Sequence, residues 1–169
     1  MKPRWNMAIA AALVSLLLTG QALAWDEAQL KAQVQGLLDQ VAADFMKKDL
    51  PAVAASSLPQ ATLKFRDGRA MSMAQWQEAT SQELADWQDI KSGFVVEKVW
   101  PQGKDQAGAV YSERHDFTLA SDPGHKHAIA ARFKALLTKT PQGWRFLEFK
   151  ELSMQITRDG KPVKAKPAK

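Results

Sequence analysis

The stretch from His127 to Ile156, HAIAARFKALLTKTPQGWRFLEFKELSMQI, decides the fold. On either side of Pro141-Gln142-Gly143 apolar residues recur at every second position, the period of a half-buried strand rather than of a helix. A type I turn closed by a left-handed glycine fits those three residues and pairs Thr140 with Trp144. An antiparallel hairpin of His127 to Thr140 and Trp144 to Ile156 is the expectation. Upstream, Phe94 to Trp100 and Ala107 to Ala120 show the same period, with Asp122-Pro123-Gly124 as the next turn. Strands this long twist, so the sheet is expected to curve strongly.

Before Gly93 the period is helical. Asp26 and Gln29 resemble a capping pair, and Leu30, Val34, Leu37, Leu38, Val41 and Phe45 lie on one face of a long helix. Asp49 caps a short second helix with Pro51 in its first turn, and Pro59 ends it. Ala61 to Phe65 reads as a brief strand leading to a turn at Asp67-Gly68. Ser72 and Gln75 have capping-box spacing for a third helix, whose apolar face carries Trp76, Ala79, Thr80, Leu84, Trp87 and Ile90. The class is α+β, with three N-terminal helices packed on one face of a curved antiparallel sheet.

Lys2 and Arg4, the apolar run Met7 to Leu18 and the small residues of Ala22-Leu23-Ala24 make residues 1–24 a secretory signal peptide. Roughly a dozen apolar residues fall short of the ~20 that span a membrane, so no span and a periplasmic or secreted product are expected. Of the 169 residues about 145 remain, enough for one domain over 25–158 with a disordered Lys/Pro-rich tail at 159–169. The absence of cysteine excludes a disulfide framework, a thiolate zinc site, an iron–sulfur cluster and a cysteine nucleophile. The net charge of +5 sits mostly at the ends: without Lys2, Arg4 and the tail lysines 161, 164, 166 and 169, 17 basic residues face 18 acidic ones. A neutral body lacks the basic face that nucleic acid needs.

The element order resembles the NTF2-like superfamily, the cone fold of SnoaL-like and ketosteroid-isomerase-like proteins. FMKKDLPAVAASSL (45–58) with Ala61-Thr62-Leu63 is similar to its first-helix end, second helix and first strand. Asp67-Gly68-Arg69 resembles the start of its third helix, and Gly143-Trp144-Arg145-Phe146 its closing strand. The resemblance covers about residues 26 to 156 and implies a pocket between helices and concave sheet, often with a dimer on the convex side.

With Trp144 and Phe146 turned to that pocket, strict alternation also sends Glu148, Lys150 and Leu152 inward, with Arg132, Lys134, Leu136 and Thr138 from the paired strand. Trp76, Trp87, Arg132, Lys134, Trp144, Phe146, Glu148 and Lys150 are the expected ligand-binding residues, and the three cations favour an anionic group. Phe133, Ala135, Leu137, Leu147 and Phe149 then form an outer apolar face suited to a homodimer. A one-residue shift of either strand would exchange the faces.

No catalytic residue, metal or cofactor is assigned. The resemblance implies an isomerase carboxylate at Phe65 and a tyrosine at Ala42, which cannot do those tasks. Glu113, Asp116, Arg132 and Glu148 offer an acid–arginine–acid alternative, but Glu113 and Asp116 fall on opposite faces of one strand. His115, His125 and His127 cluster around one hairpin, where Asp116 or Asp122 would complete a metal set, yet exposed histidines more often pair with acids. The leading expectation is an exported, non-catalytic domain that binds a small organic ligand or an envelope partner through its cone. An acid/base enzyme of the same fold and an interaction module using the sheet face are the alternatives.

Overall fold

The computed structural model describes residues 26–163. The expected signal peptide, residues 1–24, and tail lysines 164, 166 and 169 lie outside that range. Asp26 caps α1 (Glu27–Met46) by accepting from the amides of Ala28 and Gln29, at 3.0 and 3.1 Å. Asp49 caps α2 (Leu50–Ala55) through the Ala52 amide. The chain then runs through β1 (Ser57–Lys64) and β2 (Ala70–Ser72) into α3 (Met73–Leu84), which opens with the reciprocal Ser72–Gln75 capping box. Four long strands follow: β3 (Trp87–Pro101), β4 (Gln106–Leu119), β5 (Asp122–Thr140) and β6 (Gly143–Arg158), and then the short β7 (Lys161–Val163).

The seven strands form one curved sheet in the order β2-β1-β6-β5-β4-β3, with β7 also on β6. It is mixed rather than wholly antiparallel, because β1 lies parallel to β6. β1 occupies the stretch of β6 near Phe146 to Lys150, and β7 occupies Ile156 to Arg158. α1 packs across β3 and β6, and its Leu30, Val34, Leu38, Val41 and Phe45 join the inner residues of every long strand in one core. Gln35 fastens α1 to the sheet edge: its side-chain amide donates to the Phe94 carbonyl and accepts from the Val96 amide, both at 2.9 Å. That pairing covers backbone groups an edge strand would otherwise expose.

Several expectations need correction. α3 ends at Leu84, so Trp87 and Ile90 belong to β3, which begins seven residues before the expected Phe94. The turn between β4 and β5 is Ala120-Ser121, held by Asp86, whose carboxylate accepts from the Ser121 amide and hydroxyl. Leu119 pairs with Asp122 and Thr118 with Lys126, so Pro123-Gly124-His125 bulges from β5. Ordered chain also continues past 158. Asp159 and Gly160, with φ of 49° and 76°, make the two-residue turn that folds β7 back onto β6.

The largest correction concerns which side chains face inward. Thr140 pairs with Gly143 and Lys139 with Trp144, one residue away from the expected register. Phe133, Ala135 and Leu137 are therefore buried inside, at 6, 2 and 0 % exposure, while Arg132, Lys134, Leu136 and Thr138 face outward. On β6, Leu137 pairs with Phe146 but Leu136 with Glu148, which leaves Leu147 as an unpaired bulge residue. A bulge inverts the alternation beyond it. Trp144 and Phe146 point in, but after Leu147 it is Phe149 that joins the interior while Glu148 and Lys150 turn out. A second bulge at Leu152 inverts the pattern again and returns Met154 to the inner side. The apolar outer face proposed for a homodimer thus loses Phe133, Ala135, Leu137 and Phe149.

Candidate functional site

Helices and concave sheet enclose a cavity of about 190 Å³. Phe45 and Leu38 reach it from α1, Trp76 and Thr80 from α3, Trp87 and Phe94 from β3, Tyr111 from β4, Phe133 from β5, and Phe146 with Phe149 from β6. Several of these rings brace one another. Trp87 stacks on Phe117 at 3.6 Å, Tyr111 lies 5.7 Å from Phe133, and Phe146 lies 4.8 Å from Phe149. Rings fixed by neighbours offer a ligand apolar area with little entropy left to lose.

The polar part of the wall is the inner face of β4. Tyr111, Glu113 and His115, two residues apart, all point inward. His115 is only 5 % exposed; its Nδ1 meets Ser92 Oγ at 2.6 Å and its Nε2 stands 3.6 Å from Glu113 Oε1. A bare Nε2 lone pair would face the lone pairs of the Glu113 carboxyl oxygen. The favoured tautomer therefore carries its proton on Nε2, and the Ser92 hydroxyl donates to Nδ1. Burial, with the Glu113 charge second, pushes the Tyr111 phenol well above its usual value. Tyr111 thus keeps its proton and acts as a neutral hydrogen-bonding group.

On the opposite side, Ser57 opens β1 beside Phe146 and is 8 % exposed. Its hydroxyl is buried and has no hydrogen-bond partner among the described residues. Buried hydroxyls are nearly always satisfied, so an unpaired one in a cavity wall marks a place where a ligand group fits. Among the described residues the carboxyl groups of the wall are Glu113 and, at the mouth, Glu83, and no Lys or Arg lines the cavity.

Of the eight residues expected here, Trp76, Trp87 and Phe146 line the cavity. Trp144 is buried behind it, its indole N–H donating to Gln33 of α1 at 2.9 Å. The other four are outside. Arg132 is bound to Glu97 through Nε at 2.8 Å and Nη2 at 2.6 Å. Lys134 lies 5.4 Å over the Trp100 ring, Glu148 accepts from Lys64 at 2.5 Å, and Lys150 is exposed between Lys64 and Lys134 in register. With those cations outside, the argument for an anionic ligand fails. Asp116 is likewise outside, paired with Arg114.

His125 and His127 stand away from the cavity, at the β4–β5 end. His125 Nδ1 contacts Asp159 at 2.5 Å, His127 Nε2 contacts Asp122 at 3.2 Å, and Arg158 also holds Asp122. Among the described residues no group of three or more His, Asp or Glu side chains is arranged to hold a metal ion.

No protein-family model and no curated protein sequence matches the chain. Solved structures do. A putative scytalone dehydratase from Novosphingobium aromaticivorans superposes with a TM-score of 0.66 at 7% identity, over 82% of this chain and 91% of that one. A ketosteroid isomerase-like protein from Erwinia carotovora atroseptica gives 0.57 at 16% identity, over 73% and 96%. An NTF-2 like protein of unknown function from Shewanella oneidensis gives 0.55 at 16% identity, over 71% and 96%. At such identities the likeness is one of fold alone, and the fold of this chain is the NTF2-like cone.

Proposed function

We propose that the cone is a binding chamber for one small, largely aromatic molecule in an exported domain. The observation that carries this reading is the cavity itself: about 190 Å³ walled by aromatic rings, with the unpartnered Ser57 hydroxyl in its wall. Chambers of this kind, mostly apolar with a few fixed polar groups, are the usual form of small-molecule sites. Export rests on the pattern of residues 1–24. The test is a titration of the purified protein with 2-phenylethanol, followed by tryptophan emission from Trp76 and Trp87. Saturable quenching is expected, together with its loss in Phe146→Trp, which fills the chamber. A linear response that Phe146→Trp leaves unchanged overturns the reading.

One observation favours a second reading, proton transfer in the same chamber. Glu113 and His115 are ionisable side chains that converge on the cavity wall 3.6 Å apart. A carboxylate with an imidazole beside it is the residue pair that general acid–base catalysis uses. Deuterium exchange into the α-carbon of a bound aryl ketone, lost in Glu113→Gln, separates this reading from simple binding.

A further inference from the structure

We infer that the molecule held in the cone is an organic cation, an aryl or arylalkyl amine protonated at neutral pH, with its ammonium against Glu113. This rests on the reading of the cone as a binding chamber and adds the charge of its occupant.

The first line of argument is the sign of the wall. Among the described residues the carboxyl groups lining the cavity are Glu83 at the mouth and Glu113 within, and no Lys or Arg joins them. Four basic side chains of the flanking strands are turned out and engaged there: Arg132 with Glu97, Arg114 with Asp116, Lys64 with Glu148, and Lys134 over Trp100. An anion entering the cone meets like charge and no counter-ion. A cation meets its complement.

The second line is the state of Glu113. Its side chain is only 17% exposed, and its recorded partner is His115 Nε2 at 3.6 Å, beyond a good hydrogen bond. Among the described residues no Lys or Arg pairs with it. An ammonium group in the cavity supplies that partner by a charge-assisted hydrogen bond, which is short and strong.

The third line is the ring lining. Aromatic faces carry partial negative charge, and a cation within about 6 Å of a ring centre is attracted by it. Trp87, Phe94 and Tyr111 flank the Glu113–His115 wall; Phe94 lies 6.0 Å from Tyr111 and 5.7 Å from His115. Rings and carboxylate act together on the same group, while the aryl end of the ligand fills the apolar remainder.

The test uses three probes of one shape and different charge on the purified protein at pH 7: 2-phenylethylamine, 2-phenylethanol and phenylacetate. The amine is expected to bind about tenfold or more tightly than the alcohol, and phenylacetate most weakly, since one ion pair of modest strength is worth that factor. Glu113→Gln is expected to bring amine and alcohol within about twofold of each other through loss of amine affinity. If that variant fails to fold, the ranking of the three probes on the unsubstituted protein decides alone. Equal affinities, or phenylacetate tightest, overturn the inference while the binding chamber stands. Retained amine preference in a folded Glu113→Gln protein also overturns it. Binding of none of the three overturns the chamber and this inference together.

Discussion

Gly108, on the outer face of β4, has a single-atom reason to be glycine. A Cβ built there would lie 2.1 Å from Cε2 of the Trp100 indole, which lies flat over the backbone at this point. The ring in turn carries the Lys134 ammonium 5.4 Å from its centroid. Gly108→Ala must expel the indole and break that stack, at a cost of about 1–3 kcal/mol, read from urea unfolding. The cavity lies on the other face of the sheet, so 2-phenylethanol affinity should be unchanged. At this scale the sequence was legible only where strict alternation held. Trp144 and Phe146 were placed inward by the likeness of Gly143-Trp144-Arg145-Phe146 to the closing strand of the NTF2-like fold. Glu148 and Lys150 were misplaced because Leu147 is a bulge, and an apolar bulge residue looks like any other strand residue. Arg132 and Lys134 were misplaced by the one-residue turn register. The signal for the polar wall was present in YSERH (111–115), whose first, third and fifth residues must share one face.

Among the elements, those whose ends carry side-chain chemistry were the readable ones. Asp26, Asp49 and Ser72 each satisfy orphan amides at a helix start, and each marked its helix correctly. The end of α3 had no such mark. Trp87 and Ile90 continue a helical apolar period, yet β4 captures them as strand, with Trp87 opposite Leu119. β7 was missed although Asp159-Gly160 is a strong two-residue hairpin signal, because the lysines beyond it read as a solvated tail. The most consequential link between elements is one amide. Gln35 bonds both Phe94 and Val96 on the outermost strand, with no other element between α1 and that edge. Gln35→Leu keeps the apolar stem but leaves two backbone groups unmatched, so a loss of about 1–3 kcal/mol is expected in thermal or urea unfolding. Faster amide hydrogen exchange at Val96 should accompany it, while exchange in the central β5 stays slow.

For the molecule as a whole, the switch from helical to two-residue period at Gly93 was enough to give helices first, sheet second, and one core. The parallel seat of β1 on β6 was not readable, since a pairing across 86 to 89 positions leaves no local pattern, as the Thr62–Glu148 and Ser57–Phe146 partners illustrate. Several surface acids tie this assembly together, and they set its acid response. Asp159 accepts from the Lys126 amide at 3.0 Å and from His125 at 2.5 Å, joining the β6–β7 turn to β5. The Lys126 amide first and His125 next hold its carboxyl below the ordinary value of 3.8. Asp67, through the amide and guanidinium of Arg69, and Glu97, through Arg132, are lowered in the same way. Each is a carboxyl whose folded value lies below its unfolded one. The unfolded chain therefore binds protons first as pH falls, so stability is full above the unfolded values of 3.8 and 4.5 and is lost as pH drops through the folded ones. Asp159→Asn removes one of these carboxylates. It should lower the melting temperature at pH 6, and the gap to the unsubstituted protein should close as the pH falls below 3.8 and through the depressed folded value of Asp159, beneath which both carry a neutral side chain at 159. A gap that stays constant from pH 6 to pH 2 would mean that Asp159 contributes through turn geometry at φ 49° rather than through its charge.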